Sequence, residues 1–126
     1  MIVNSEAQES NFPIEKWENL GVLEGLTDEQ KVKTVTAFNI ALNYLTKNED
    51  KFNSFTTIPF PIIYRIIKVC DLTEENVLDI VNESIIQCKY FIETAKIDSF
   101  YSALYMEEEF TSYYAEQKIE ELNNKK

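Results

Sequence analysis

The chain is 126 residues long, with 44% hydrophobic and 13% aromatic residues, which is enough apolar material for one packed domain and too much for a disordered chain. Its formal net charge of −10 disfavours non-specific binding to nucleic acid, which needs basic side chains that neutralise phosphates. The sequence has no apolar run of about 20 residues, and no basic segment followed by an apolar run at its N-terminus, so we expect neither a membrane span nor a secretory signal peptide.

Glycine and proline are scarce, and this favours a helical fold. Two glycines and three prolines are too few for an all-β protein, which needs a turn about every 8–12 residues. We therefore predict an all-α fold, a compact bundle of about five helices with a short first helix and a long, aromatic-rich last helix. This single helical domain covers residues 12–122, between a flexible polar arm (residues 1–11) and a frayed tail (residues 123–126).

The first predicted helix, residues 13–20 (PIEKWENL), ends at a glycine. Gly21 takes the position after the C-cap, where a left-handed backbone conformation ends many helices. In the Schellman form of this ending, the third residue before the cap contacts the second residue after it, and these are Trp17 and Val22. The segment WENLGVLEGL is therefore predicted to be a joint between helices rather than a ligand-binding loop, with Gly25 as a second turn residue.

A capping box marks the start of the second helix. Thr27 is the predicted N-cap, and Gln30 is its reciprocal partner three residues later. The helix runs to about Thr46 and carries one apolar stripe at spacings of three and four residues. The stripe consists of Val32, Val35, Phe38, Leu42 and Leu45, with Ala37 and Ala41 alongside.

The segment PFPIIYRIIKVC, residues 59–70, fits two interpretations. Its isoleucines, its tyrosine and its nearly continuous apolar run favour a strand, for which only FNSFTTI just upstream offers a partner. Five of its apolar residues nevertheless recur at helical spacing: Ile62, Ile63, Ile66, Ile67 and Cys70. We favour a short, deeply buried helix.

The segment DLTEENV repeats the signal for a helix start. Thr73 is the predicted N-cap, glutamates fill the first turn, and Leu72 faces Val77 as a hydrophobic staple. The helix that follows carries one apolar face, formed by Leu78, Val81, Ile85, Cys88, Ile92 and Ala95.

The last predicted helix, from about residue 99 to residue 122, follows a break near residues 96–98 and is rich in aromatic residues. These are Phe100, Tyr101, Tyr105, Phe110, Tyr113 and Tyr114. They cannot share one face, because successive helical residues are rotated by about 100°. Core packing accounts for part of the set, and we expect one or two of the tyrosines to face a partner protein.

Arg65 is the only arginine, and it lies within an apolar run. It could pair with an interior carboxylate or with an acid of a partner, or it could extend to the surface over its own aliphatic stem. The predicted partner-binding candidates are thus Arg65, Tyr101, Tyr105, Phe110, Tyr113 and Tyr114.

Histidine, the commonest general base and metal ligand, is missing from the composition. The chain has no His, no glycine-rich phosphate loop and one arginine, so we predict no catalytic residue, no cofactor and no enzyme activity. The run Glu107, Glu108 and Glu109 does not converge on one ion if it is helical, and no metal site is predicted.

The two cysteines, Cys70 and Cys88, lie in apolar segments. We expect them to be buried and reduced, as free thiols on apolar helix faces usually are. A disulfide between them is the alternative.

Two segments resemble parts of tailed-bacteriophage structural proteins. Residues 17–26, WENLGVLEGL, resemble the W…G-L-L-E-G-L segment near the start of some tailed-phage capsid proteins, particularly those of contractile-tailed phages. PFPIIYRIIKV resembles an apolar P-I-x-R element farther along such chains. The chain is too short for a major capsid shell fold, and small all-helical head-to-tail adaptors have roughly its size. The resemblance implies a phage origin and no individual residue roles.

We therefore predict a non-catalytic helical interaction subunit, namely a small structural protein of a tailed phage such as a head–neck adaptor or a minor capsid-associated protein. Its expected partners are other proteins of a larger assembly or further copies of itself, with no direct contact to nucleic acid or membrane. The expected location is the virion or the cytoplasm of an infected bacterial host. The alternative is a soluble acidic regulator or inhibitor that binds a basic groove, as a nucleic-acid mimic would, through residues 71–126, which hold thirteen acids and five bases.

Overall fold

The chain folds into helices that pack around one short central helix. A computed structural model describes residues 12–52, 55–95 and 100–124, with the side chains of residue 95 and residues 100–105 left out of the description. These residues form five helices and no strand: α1 (Ile14–Asn19), α2 (Asp28–Lys47), α3 (Pro59–Ile67), α4 (Glu74–Ala95) and α5 (Phe100–Asn124). The predicted all-α bundle is confirmed.

Two long helices begin with reciprocal hydrogen bonds at their N-caps. The Thr27 hydroxyl accepts the backbone N–H of Gln30 at 3.1 Å, and the Gln30 side-chain oxygen accepts the N–H of Thr27 at 3.0 Å. At α4, the side-chain oxygens of Thr73 and Asn76 each accept the other residue's backbone N–H at 3.0 Å. Both predicted N-caps are confirmed, and these bonds satisfy N–H groups that have no partner within the helix.

Helix α1 ends at Gly21 as predicted. The φ of Gly21 is +78°, and its N–H donates to the carbonyl of Glu18 at 2.9 Å. The indole N–H of Trp17 donates to the Asn39 side-chain oxygen on α2 at 3.3 Å, so the tryptophan anchors α1 to α2. The contact between Trp17 and Val22 stays a prediction.

Both glycines of this joint have positive φ, but only one is also crowded. A Cβ at Gly21 would meet open space, whereas at Gly25, with φ +84°, it would lie 3.3 Å from the hydroxyl oxygen of Tyr64. We expect Gly21→Ala to lower the free energy of unfolding by about 1–2 kcal/mol through backbone strain alone, and Gly25→Ala to lower it further. Urea denaturation of both variants checks this order, and a Gly25→Ala variant as stable as the parent would contradict it.

Helix α3 forms the centre of the core. It packs against α2, α4 and α5, and its isoleucines are buried. The buried positions are Pro59, Ile62, Ile63, Ile66, Ile67 and, just after the helix, Cys70. Its prolines lie in the first turn, where a missing N–H breaks no helical hydrogen bond. The helical interpretation of residues 59–70 is therefore confirmed.

The predicted stripe of α2 is partly wrong. Val32 is exposed, while Thr34 and Asn39, which the pattern left out, are buried. The buried face runs through positions 34, 37, 38, 41 and 45, so it is rotated from the predicted one. The cause is the N-terminal segment: the Asn39 side chain bonds both the N–H and the carbonyl of Phe12, just before α1, and accepts from the Trp17 indole of α1, so it is held in the interior.

The C-terminal boundary differs slightly from the prediction. Helix α5 continues through Asn124, two residues beyond the expected end at residue 122. Residues 1–11 (the predicted arm), residues 96–98 (the predicted break) and residues 125–126 lie outside the described residues. Within the described ranges, none of the helices combines the length and the apolarity that crossing a bilayer requires.

Both cysteines are buried and free, so the disulfide alternative does not hold. Burial, with a smaller contribution from the Glu107 carboxylate, raises the pKa of the Cys88 thiol from 9.0 to about 12. The thiol of Cys70 lies 3.5 Å from the side-chain oxygen of Asn123, near the end of α5.

The raised pKa of Cys88 makes stability depend on pH in alkaline solution. The unfolded chain loses the Cys88 thiol proton near pH 9, and the native state loses it only near pH 12. The free energy of unfolding is therefore unaffected by this proton below pH 9 and decreases as the pH rises from 9 towards 12. We expect the parent to lose stability relative to Cys88→Ala by up to about 1.4 kcal/mol per pH unit in this window. Urea denaturation of both proteins across the window measures the difference, and parallel pH curves would contradict it.

A candidate docking groove between the last two helices

An apolar groove of about 550 Å³ lies between α4 and α5. Its lining residues are Ile86, Gln87, Tyr90, Phe91 and Thr94 of α4 with Phe110 and Tyr113 of α5. Apolar residues dominate this lining, and two polar side chains, Gln87 and Thr94, interrupt it. The volume falls within the range of about 300–1,000 Å³ that is typical of ligand pockets.

Several large apolar side chains around this groove are exposed to solvent. Tyr90 is 71% exposed, Tyr113 61% and Ile86 57%, and Phe91 is also exposed. Single exposed apolar residues are ordinary on a protein surface, but a contiguous group of this kind marks an interaction site. The groove is therefore the leading candidate for a functional surface.

The floor of the groove is a packed aromatic core. The ring of Phe110 lies 6.0 Å from that of Phe91 and 5.8 Å from that of Tyr114, measured between ring centroids. Phe110 and Tyr114 are buried. The two exposed tyrosines thus stand on a floor that is already fixed, so little side-chain order has to be gained when a partner binds.

The structure separates the predicted partner-binding residues into different environments. Tyr113 is exposed at the groove, as a partner-facing residue would be. Phe110 and Tyr114 are largely buried, because α5 turns this side towards α4, and Phe110 also lines the groove. Contact of either residue with a partner stays a prediction. The side chains of Tyr101 and Tyr105 lie outside the described residues.

Arg65 lies on α3, away from the groove. Its side chain is exposed, and no ion pair within the described part of the chain includes it. The pairing with an interior carboxylate is therefore wrong and the side chain extends to the surface, while its pairing with an acid of a partner stays a prediction. The reason is geometric, since position 65 falls on the one side of α3 that the other helices leave uncovered.

The residues of the α4 wall of the groove were not predicted from the sequence. Ile86 and Tyr90 lie four residues apart and outside the apolar stripe assigned to this helix. A second row of apolar residues beside a complete core stripe was the signal that could have identified them.

A partly buried polar cluster joins the two walls. The Tyr114 hydroxyl donates to Oε1 of Glu83 on α4 at 2.5 Å, and Nζ of Lys118 donates to the same oxygen at 3.1 Å. Burial, followed by the hydrogen bond to Glu83, raises the pKa of Tyr114, so this hydroxyl stays protonated and remains a donor. Glu83 lies three residues before Ile86, and Tyr114 adjoins Tyr113, so the cluster fixes the spacing of the groove walls.

The surroundings of the groove are acidic. Helical residues three or four positions apart are surface neighbours, so the charged neighbours of Ile86, Tyr90 and Tyr113 can be read from the helices. They are Glu83, Lys89, Glu93, Glu109 and Glu116. Because Glu83 is paired with the buried Lys118, three other exposed acids and one exposed base remain around the groove within the described part of the chain.

A second, smaller pocket of about 340 Å³ lies beside the joint between α1 and α2. Phe38, Phe60 and Pro61 supply its apolar lining, and the hydroxyl of Tyr64 donates to the carbonyl of Glu24 at its edge. Of the large apolar side chains that the structure describes as exposed, only Val22 lines this pocket. It therefore offers fewer anchors for a partner than the groove does.

The fold and the groove define an all-α protein with an exposed apolar groove between its last two helices. Within the residues that the structure describes, no three or more Cys, Asp or Glu side chains are grouped to hold a metal ion. Comparison of the chain with protein-family models, with curated proteins and with solved structures gave no match.

Proposed function

We propose that this protein is a non-catalytic interaction subunit that docks into a larger assembly through the groove between α4 and α5. The observation that carries the proposal is the exposure of Ile86, Tyr90 and Tyr113 together around one cavity. Aromatic residues of this kind supply most of the binding energy at many protein interfaces.

The assembly we propose is the particle of a tailed phage, with this chain as a head–neck adaptor or a minor capsid-associated protein. This part of the proposal rests on the resemblance of residues 17–26 and of PFPIIYRIIKV to segments of such proteins, and on the size of the chain. It places the protein in the virion or in the cytoplasm of an infected bacterium.

The groove binds by removing its aromatic side chains from water. Each anchor whose truncation weakens an interface strongly costs about 2 kcal/mol or more, so loss of one tyrosine is expected to weaken docking by about tenfold or more. The lining is mostly apolar, and the polar cluster beneath it is internally bonded, so few polar groups would lose water without a replacement.

Purification of phage particles from the source of the chain, followed by mass spectrometry, tests this proposal. We expect the parent protein to sediment with particles and the Tyr90→Ala variant to be depleted by about tenfold or more. Val69→Ala is the matched control, since Val69 is 61% exposed but lies outside the groove. A protein absent from particles would refute the virion role, and equal incorporation of both variants would refute docking through the groove.

The charge of the second half of the chain favours one alternative function. Residues 71–126 hold thirteen acids and five bases, as a soluble regulator that occupies a basic groove would. Salt distinguishes the two functions, because binding through exposed charges weakens steeply as ionic strength rises and binding through an apolar interface does not.

A further inference from the structure

We infer that the groove between α4 and α5 accepts one amphipathic helix of a partner protein whose polar flanks are basic. This inference rests on the proposed docking function and specifies its partner. The shape of the groove indicates a helix, and the charges around it indicate basic flanks.

The shape of the groove matches one face of a helix. Its α4 wall extends from Ile86 to Thr94, which is about 12 Å or roughly two helical turns. Its second wall is the neighbouring helix α5, with Phe110 as the floor and Tyr113 at the edge. A groove between two packed helices receives a third helix through apolar residues spaced three, four and seven positions apart.

The charges around the groove favour a basic partner over a second copy of this chain. Among the residues that the structure describes, Glu93, Glu109 and Glu116 surround the groove and Lys89 is the one exposed base, so a helix with Lys or Arg beside its apolar face would gain from the field of these acids. Two copies meeting here would instead place acidic surfaces together, each from a half-chain with eight more acids than bases, thirteen against five. Juxtaposed like charges oppose such an interface.

Selection from a displayed library of helical peptides tests the inference with the full chain as bait. The peptides have about 16 residues, long enough to form a helix, with the surface positions randomised. We expect the selected sequences to carry apolar residues at spacings of three and four together with a net positive charge. Circular dichroism of each bait variant verifies that the chain is folded.

The strongest selected peptide then serves as the probe for fluorescence anisotropy. We expect Tyr90→Ala and Tyr113→Ala each to raise its Kd by about tenfold or more, and Val69→Ala to leave the Kd unchanged. Glu109→Lys combined with Glu116→Lys is expected to raise the Kd about fivefold or more, and this loss should shrink as salt screens the charges.

Different negative results would reject either the basic helical partner alone or docking through the groove as well. Neutral, acidic or non-helical peptides that bind at Tyr90 would overturn the basic helix and leave docking through the groove intact. A dimer in sedimentation velocity that Tyr90→Ala abolishes would identify a second copy as the occupant and also overturn the inference. No peptide binding and no dimer would overturn both the inference and docking through the groove.

Discussion

Replacement of Phe38 by Ala is expected to lower the free energy of unfolding by about 3–5 kcal/mol, the usual cost of truncating a buried aromatic residue. Phe38 is one of the largest fully buried side chains and connects three helices. Its ring centroid lies 5.0 Å from that of Trp17 on α1 and 5.3 Å from that of Phe60 on α3. The loss combines less apolar burial with a cavity that these two rings can only partly fill.

Urea denaturation followed by circular dichroism measures the loss. Val32→Ala is the matched control, because Val32 lies on the same helix and is 60% exposed, and it should change stability by less than about 0.5 kcal/mol. A small loss for Phe38→Ala, or equal losses for the two variants, would show that α2 packs through a different face. The predicted stripe of α2 included both Val32 and Phe38. The difference between the stability losses of the two variants therefore shows which of these two positions belongs to the buried face.

The helix starts were predictable from the sequence because their determinants are local. Thr27 bonds Gln30 and Thr73 bonds Asn76, partners only three residues apart, so the spacing alone reveals the bonds. The end of α1 at Gly21 is similarly local, since left-handed backbone favours glycine at that position. The five-helix architecture followed from these signals.

The face that each helix buries was less predictable, because it depends on distant residues. Asn39 is buried because it bonds Phe12, 27 positions earlier, and a pattern of apolar spacing has no means of including an asparagine. Lys118 is another such residue, since its partner Glu83 is 35 positions away. Buried polar residues are therefore among the omissions from the predicted core.

The α5 side of the candidate groove could be predicted from the sequence, and its α4 side could not. Tyr113 was predicted to face a partner because α5 carries more aromatic residues than one face can bury. The same excess also included Phe110 and Tyr114, whose rings are buried in the structure, because composition does not reveal which rings point towards α4. Tyr90 was missed since the core stripe of α4 already accounted for the apolar character of that helix.

Glu83→Ala is the second change with a large expected effect, a loss of about 2–4 kcal/mol. It removes the carboxylate that accepts from both the Lys118 ammonium and the Tyr114 hydroxyl. The side chain of Lys118 is only 7% exposed, so its charge would keep only Glu121, at 3.7 Å, as a nearby acid. Urea denaturation measures this loss, and a variant within about 0.5 kcal/mol of the parent would contradict it.

Lys118→Met is expected to cost less, about 1 kcal/mol, although Lys118 is the more buried partner. Methionine keeps much of the aliphatic stem, and the Glu83 side chain, which is 45% exposed, can be solvated by water once the ammonium is gone. The double variant should be more stable than Glu83→Ala alone, because it no longer buries a charge whose main partner has been removed. Purely additive losses would contradict coupling of the two residues.

The same variants connect the polar cluster to docking. Glu83 holds α4 to α5 immediately beside Ile86 and Tyr113, so its loss frees the two walls of the groove to shift against each other. We expect Glu83→Ala to weaken binding of the selected helical peptide even at temperatures where the variant is fully folded, and Lys118→Met to weaken it less. If both variants bind as the parent does, the groove is held by its aromatic floor alone, through the contact of Phe91 with Phe110.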